Sequence, residues 1–268
     1  MQADAQTARR DAIERIECRA WESLCRAAPP GLARDLGLEV VCFGEAPLTL
    51  CARVDQGQFN RLFGLELCAG DTAAIISEAA GRFRAAGLRN AFIQIPPDAA
   101  ALEEAALAAG LVPYKRPWVK FARGPAEAGP PQSGPEVALV SQREAALFGS
   151  VIAQGFGMPP PLAHWLAGLV ERPGWRCYLA FDQGVAIGGA ADDAAWLGAG
   201  ATVPSGRRRG SQSALLARRI ADASAAGARL ITTETGKPLP GEDHPSYPNI
   251  VRSGFEIAYE RANWTFPD

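Results

Sequence analysis

The chain has 268 residues, 48% of them hydrophobic, and a net charge of −2. That length fills one large domain or two smaller ones, and the near-neutral charge excludes bulk attraction to nucleic acid. The first ten residues lack the apolar core of a secretion signal, and no run approaches the ~20 apolar residues of a membrane span, so no membrane association and a cytoplasmic location are expected.

Residues 8–27 read as a helix with Ile13, Ile16, Ala20 and Leu24 on one stripe, stopped by Pro29-Pro30-Gly31. Strands are expected at 38–43, 48–54 and 59–67. Asp71 is the N-cap of a helix carrying Ile75, Ala79 and Phe83, which ends at Gly87. A buried strand at 91–95, a helix to Ala109 and a strand from Val112 through Phe121 complete the first half. Residues 122–135 are dominated by Gly and Pro and build no regular element, which makes them a linker between units at 1–121 and 136–268.

The second half begins with a strand at 136–140. Ser141 and Glu144 then form a capping-box pattern for a helix to about Gln154, broken by Gly155 and Gly157. A helix after Pro159-Pro160-Pro161 and strands at 175–181, 185–191 and 194–203 follow, with turns at 182–184 and at Asp192-Asp193. A helix to Ala226, a strand at 229–235, a short helix near 248–253 and a strand at 255–265 end the chain. The six cysteines, Cys18, Cys25, Cys42, Cys51, Cys68 and Cys177, form no C-x-x-C pair and have only His164 and His244 for company. Reduced core thiols and no metal site are the expectation.

The stretch Thr202–Ser213, Thr-Val-Pro-Ser-Gly-Arg-Arg-Arg-Gly-Ser-Gln-Ser, joins a strand to a helix. The first amides of a helix have no internal partner and carry partial positive charge. Gly206 and Gly210 would let the backbone approach a ligand and take φ > 0. The loop therefore suits a small anion, although an Arg-rich surface turn would have the same composition.

The two halves echo one another. Ala85-Ala86-Gly87-Leu88-Arg89 matches Ala225-Ala226-Gly227-Ala228-Arg229, Gly110-Leu111 matches Gly254-Phe255, and Tyr114 to Trp118 matches Tyr259 to Trp264 with one extra residue. Matches in order at nearly constant offset indicate a duplicated α/β unit. The first-half counterpart of the Arg loop is 67–72, which has no arginine and puts Asp71 at the helix start.

A strand leaving through Val203-Pro204, then Arg207-x-x-Gly210 entering a helix with Leu215-Leu216, resembles motif A of the GNAT N-acetyltransferase superfamily. Gln212 departs from the small residue expected there, and Asn249 with Gly254-Phe255 resembles the family's next motif. The resemblance covers 136–268 in element order, and the first half looks like the same fold with its cofactor loop lost. It implies an α/β fold of two GNAT-like units, each a mostly antiparallel sheet with a parallel splay, flanked by helices. It implies acetyl-CoA as co-substrate. The pantetheine would pair with backbone at Gly200, Ala201 and Thr202, and the pyrophosphate would rest on the loop from Arg207, Arg208 and Arg209 through Gly210, Ser211, Gln212 and Ser213. Asn249 would lie near the reacting sulfur.

The implied reaction is direct attack of an amine on the thioester. Glu234, at the end of the fifth strand of its unit, is a candidate base, though it also reads as a solvated strand-end carboxylate. Many GNAT proteins use a Tyr where this chain has Ile250; Ser246 or Tyr247 could substitute. His244 is a further candidate base on its loop, whereas His164 and Tyr259 read as structural. The acceptor, a small-molecule or amino-acid-like amine, would be lined by the helices at 141–172 and the loop 236–248, with Glu234, Glu242 and Asp243 favouring a cation. A non-catalytic CoA-binding module is the alternative. A P-loop nucleotide site is disfavoured, because the Gly-Lys-Ser/Thr ending is absent. Monomer and homodimer fit equally.

Overall fold

The computed structural model describes residues 2–126, 134–193 and 195–267. Helix α1 (Gln2–Arg26) buries Ile13, Ala20 and Leu24 of the predicted stripe and half-buries Ile16. Pro30 starts a further helix, α2 (Pro30–Leu36), which the sequence reading did not include. A proline at a first helical position gives up an amide that would have had no partner anyway. Strands β1 (Leu38–Phe43) and β2 (Ala46–Cys51) form an antiparallel hairpin. The run 59–67 yields only β3 (Arg61–Leu62) before a single 3-10 turn, Leu65–Leu67. Asp71 caps α3 (Thr72–Ala85), accepting from the amides of Ala73 and Ala74.

Strand β4 (Phe92–Ile95) and helix α4 (Ala100–Ala108) follow. The single strand expected from Val112 through Phe121 is two strands, β5 (Val112–Pro113) and β6 (Trp118–Arg123). Pro117, which has no N–H to give a ladder, stands at the break.

The second half runs β7 (Glu136–Leu139), α5 (Ala145–Phe156), α6 (Pro160–Ala167), β8 (Trp175–Asp182), β9 (Val185–Asp193) and β10 (Trp196–Thr202). It continues with α7 (Ser211–Ala225), β11 (Ile231–Gly236), α8 (Ser246–Arg252) and β12 (Glu256–Thr265). The capping box is formed, with Ser141 N donating to Glu144 Oε2 at 3.0 Å, and it leads through a 3-10 turn into α5. Gly155 does not break that helix. It lies where α5 presses on β10, and a Cβ there would come within 2.6 Å of Ala201 Cβ. Asp192 and Asp193 belong to β9, paired with Leu197 and Trp196, and not to the turn.

The strands form one sheet in the order β1-β2-β3-β4-β12-β6-β11-β10-β9-β8-β7, with β5 paired to β12. Two pairs are parallel, β3 with β4 and β10 with β11, one in each half. The fold is therefore the mixed α/β sheet expected, antiparallel in the main with one parallel pair per unit.

The middle of the sheet shows a reciprocal exchange. Strand β6, from the first half, lies between β11 and β12, with Lys120 opposite Glu234 and Trp118 opposite Gly236. In return the end of β12 pairs with β4 and β5, with Asn263 opposite Gln94 and Trp264 opposite Ile93. Of the two similar stretches, Tyr259–Trp264 lies within β12, whereas Tyr114–Trp118 precedes β6 and reaches only its first residue.

The core is continuous across the halves. Trp21, Leu24 and Phe59 pack with Trp165, Leu166 and Trp196 in one apolar cluster. Trp165 Nε1 donates to Leu24 O at 2.8 Å, which satisfies an indole that burial would otherwise strand. Val119 and Phe121 of β6 pack with Leu216, Ile220, Ile231 and Ile250.

Candidate functional site

The site begins where β10 and β11 part. Their register has one pair, Trp196 with Thr232, and Thr233 Oγ1 still reaches Leu197 O at 2.8 Å. Beyond that point β10 is bulged between Gly198 and Ala201, with Ala199 at φ 43°. A bulge bends its strand and withdraws backbone groups from the ladder. The diverging strands open a cleft of about 980 Å³, lined by Gly198–Thr202 on one side and Thr233–Gly236 on the other. Arg219, buried on α7, donates to Gly198 O at 2.7 Å and so fixes the root of the bulge.

The Arg loop closes one end of this cleft. Pro204–Gly206 is a 3-10 turn, and Gly206 does not take positive φ; that role falls to Arg208 at 62° and Gly210 at 81°. Gly210 is the N-cap of α7 and brings no side chain to its amides. The first bond inside the helix here is Ala214 N to Gly210 O at 3.0 Å, so the amides of Ser211, Gln212 and Ser213 are left over by helix geometry. At the equivalent end of α3, Asp71 occupies two amides with its own carboxylate. Among the described residues no side chain caps the N-terminus of α7, whereas that of α3 is filled by the Asp71 carboxylate.

The predicted loop residues divide. Gly200, Ala201, Thr202, Arg207, Arg208, Gly210, Ser211, Gln212 and Ser213 line the cleft, and so does Asn249. The Arg209 side chain is instead ion-paired with Asp182. Gln212 is tied to α8. Its Oε1 accepts from Asn249 Nδ2 at 2.6 Å, while Asn249 Oδ1 accepts from Arg252.

Glu234 lines the cleft but belongs to a buried ionic cluster. Its carboxylate meets Lys120 of β6, and Arg61 and Arg261 lie 3.4 Å away. Lys120 also binds Glu17, and Arg261 binds Glu14 at 2.8 Å and Glu17 at 2.5 Å. Burial alone would push the Glu234 carboxyl up, but the Lys120, Arg61 and Arg261 cations hold it well below the usual carboxylate range. Such a carboxylate is a weak proton acceptor. Burial raises the Glu17 carboxyl to about 7, against the pull of Arg261 and Lys120. The sequence reading missed Glu14, Glu17, Arg61, Lys120 and Arg261. The available signal was that Glu17 follows Ile13 by one helical turn, in phase with the buried stripe.

Ser246 and His244 line the cleft, and His244 Nδ1 is buried without a hydrogen-bond partner among the described residues. Tyr247 packs edge-on against Phe121, with ring centroids 5.2 Å apart. Tyr259 donates to Glu14, deep in the ionic cluster. His164 sits in the last turn of α6. Glu242 is engaged by Arg116 at 2.8 Å. Cys18, Cys25, Cys51 and Cys177 are buried, Cys68 is half-buried, and Cys42 is exposed, which the expectation of core thiols did not cover. Among the described residues no three His, Cys, Asp or Glu side chains gather as metal ligands, and no helix is long and apolar enough to cross a membrane. Beyond the predicted helices and loop, the cleft is walled by first-half residues, namely Trp21, Gln58, Phe59, Arg116 and Trp118.

The site thus combines a splayed parallel pair, a bulge on one strand and a helix N-terminus at the mouth of the cleft. Comparison with solved structures gives the fold a name. A GCN5-related N-acetyltransferase from Kribbella flavida aligns over 94% of this chain and 95% of its own, with a TM-score of 0.58 and 17% identity. A tandem GNAT protein from the clavulanic acid biosynthesis pathway aligns over 82% and 77%, with a TM-score of 0.55 and 15% identity. A GNAT-family acetyltransferase from Colwellia psychrerythraea aligns over 83% and 81%, with a TM-score of 0.53 and 12% identity. No family model matches the chain, and no curated protein matches it in sequence. The chain has the GNAT acetyltransferase fold across both halves.

Proposed function

We propose that the protein is an acetyl-CoA-dependent N-acetyltransferase whose cofactor site lies in the second half. The observation that carries this is the contrast between the two helix N-termini: α7 leaves its amides open beneath Arg207 and Arg208, and α3 has them filled by Asp71. Open amides, the helix dipole and two cleft-lining guanidiniums fit a diphosphate, and the freed edge of β10 at Gly200–Thr202 fits an amide-bearing arm. Acetyl-CoA, when bound, supplies the activated acyl group.

The chain's own residues would align the amine with the thioester, exclude water and accept a proton. We assign the proton acceptor to His244 in preference to Glu234. The His244 Nδ1 lacks a partner, whereas the Glu234 carboxylate already serves three cations. Ser246, on the first turn of α8, is assigned as donor to the departing sulfur.

Two measurements test this reading. Calorimetric titration is expected to show acetyl-CoA binding to the full-length protein, and Gly210→Asp is expected to weaken it at least tenfold. Thiol release from acetyl-CoA over a panel of primary amines is expected to show turnover. Equal affinity of the variant would overturn the cofactor site; binding without turnover on any amine would leave a CoA-binding module and no enzyme.

A further inference from the structure

The acyl-transfer reading, on which this inference rests, puts His244 on the loop 237–245 and Ser246 just after it, and leaves open what holds that loop. Both ends of it are tied to the sheet. Lys237 N donates to Pro117 O at 3.0 Å, and Lys237 Nζ lies 2.8 Å from Glu260 of β12. Beyond the other end, Tyr247 packs on Phe121, and Arg123 of β6 donates to Ser253 O where α8 finishes. Between these points Pro238, Pro240 and Pro245 have no N–H to give.

Among the described residues, one hydrogen bond reaches 238–244 from outside the loop. Arg116, between β5 and β6, donates from Nη2 to Glu242 Oε1 at 2.8 Å. The other oxygen of that carboxylate accepts from the Leu239 amide at 3.0 Å, and Glu242 N donates to Leu239 O at 3.0 Å. Glu242 thus closes a turn of its own loop and joins the turn to the first half. The bonds from Arg116 and from the Leu239 amide hold its carboxyl below the usual carboxylate range, so the pair persists at neutral pH.

Arg116 is itself held. Its carbonyl accepts from Asn263 Nδ2 at 2.7 Å. Its stem lies across the end of β11, where a Cβ on Gly236 would come within 2.8 Å of Arg116 Cδ. Arg116, Gly236 and His244 all line the cleft. Glu242 precedes His244 by two residues, so its anchorage sets where the imidazole is presented. A partly exposed ion pair contributes little to global stability. Displacing a reacting group by about 1 Å, in contrast, can cost on the order of 100-fold in rate.

We propose that Arg116 is a positioning residue: through Glu242, the first half of the chain holds the loop that presents His244 and Ser246 to the cleft. The test uses the full-length protein and the variants Arg116→Gln, Glu242→Gln and Arg116→Lys. Hydrogen exchange, read by mass spectrometry on a peptide spanning 237–245, reports the loop independently of turnover. Arg116→Gln and Glu242→Gln are each expected to speed that exchange about fivefold or more and to lower kcat about tenfold or more. The Kd for acetyl-CoA should stay within about twofold and the melting temperature within about 2 °C, since the pair adds little stability. Arg116→Lys keeps a charged bond to Glu242 and should recover kcat to within about threefold of the unmodified protein. Should one Gln variant fail to fold by circular dichroism, the other carries the comparison. Faster exchange at unchanged kcat overturns the positioning role and leaves acyl transfer standing. A lower kcat at unchanged exchange also overturns it, because Arg116 would then act on the acceptor directly. If the unmodified protein turns over no amine, the acyl-transfer reading falls and exchange decides alone: faster exchange upholds Arg116 as the anchor of the loop, and equal exchange overturns it.

Discussion

Asn249 on α8 donates its side-chain amide to Gln212 on the first turn of α7 at 2.6 Å. This bond ties the first turn of α7 to α8. Gln212 also lines the cleft. Gln212→Ala removes the restraint and strands the Asn249 amide. The expected result is a loss of about 1 kcal/mol in stability and a several-fold weaker affinity for acetyl-CoA, read by thermal melting and calorimetry. Unaltered affinity and melting would show the bond to be incidental.

The three arginines of the loop are expected to behave differently. Arg207 and Arg208 line the cleft, whereas the Arg209 side chain is spent on Asp182. The double variant Arg207→Ala with Arg208→Ala is expected to weaken acetyl-CoA binding about tenfold or more, because charge-assisted bonds to phosphate are lost. It should also flatten the salt dependence of Kd. Arg209→Ala should change Kd less than threefold, since an exposed ion pair contributes little. Equal effects from all three positions would contradict this division.

His244 and Glu234 separate chemistry from architecture. His244→Gln is expected to lower kcat by roughly a hundredfold while leaving KM within a few-fold, the pattern of a lost general base. Glu234→Gln leaves Lys120, Arg61 and Arg261 short of a countercharge, and its expected effect is a lower melting temperature, by several degrees. Steady-state kinetics with a melting curve on each variant checks the pair. A fall in kcat for Glu234→Gln at unchanged stability would reverse the assignment.

Glu66 makes stability depend on pH. Burial, aided by repulsion from Glu14, raises its carboxyl from 4.5 to about 7, and neither of its oxygens finds a hydrogen bond among the described residues, although Arg10 Nε is 3.2 Å from one of them. A folded-state value above the unfolded one means that the folded protein holds the proton more tightly. Stability from this group is therefore full below pH 4.5 and is lost as pH rises to about 7. Glu17, raised to about 7 by burial, acts in the same sense and window. Glu234, held low, acts oppositely, and its contribution is lost only as pH falls below the ordinary 4.5. Between pH 5 and 8 the melting temperature should fall, and Glu66→Gln should reduce that fall. Identical slopes for both proteins would exclude Glu66 as the cause.

Much of the fold is legible where it is local. Asp71 and the Ser141–Glu144 box announce helix starts because capping is a matter of a few adjacent residues. The second-half element order came through for the same reason. The exchange of β6 and β12 is not legible, because a strand's partners are chosen by tertiary register and not by its own residues. Lys120 and Arg261 illustrate the cost. Each sits in an alternating strand where a charge reads as solvent-facing, and each is buried because the neighbour brought by the exchange carries Glu17 or Glu234. The Arg loop between β10 and α7 was readable, but its meeting in one cleft with Trp21, Phe59 and Trp118 was not, since those residues lie in the other half of the chain.

The exchanged strands also set the order in which the chain can be completed. Strand β6 is made early, yet its neighbours β11 and β12 begin more than a hundred residues later, at Ile231 and Glu256. Strand β4 must wait for the last residues of the chain, because Ala262–Trp264 are what cover its edge. During synthesis the first half would carry an open sheet edge and a Lys120 that has Glu17 but not yet Glu234. Contacts of such sequence separation slow folding and prolong exposure of unpaired strands. Folding thus needs both halves together, with β12 acting as the clasp.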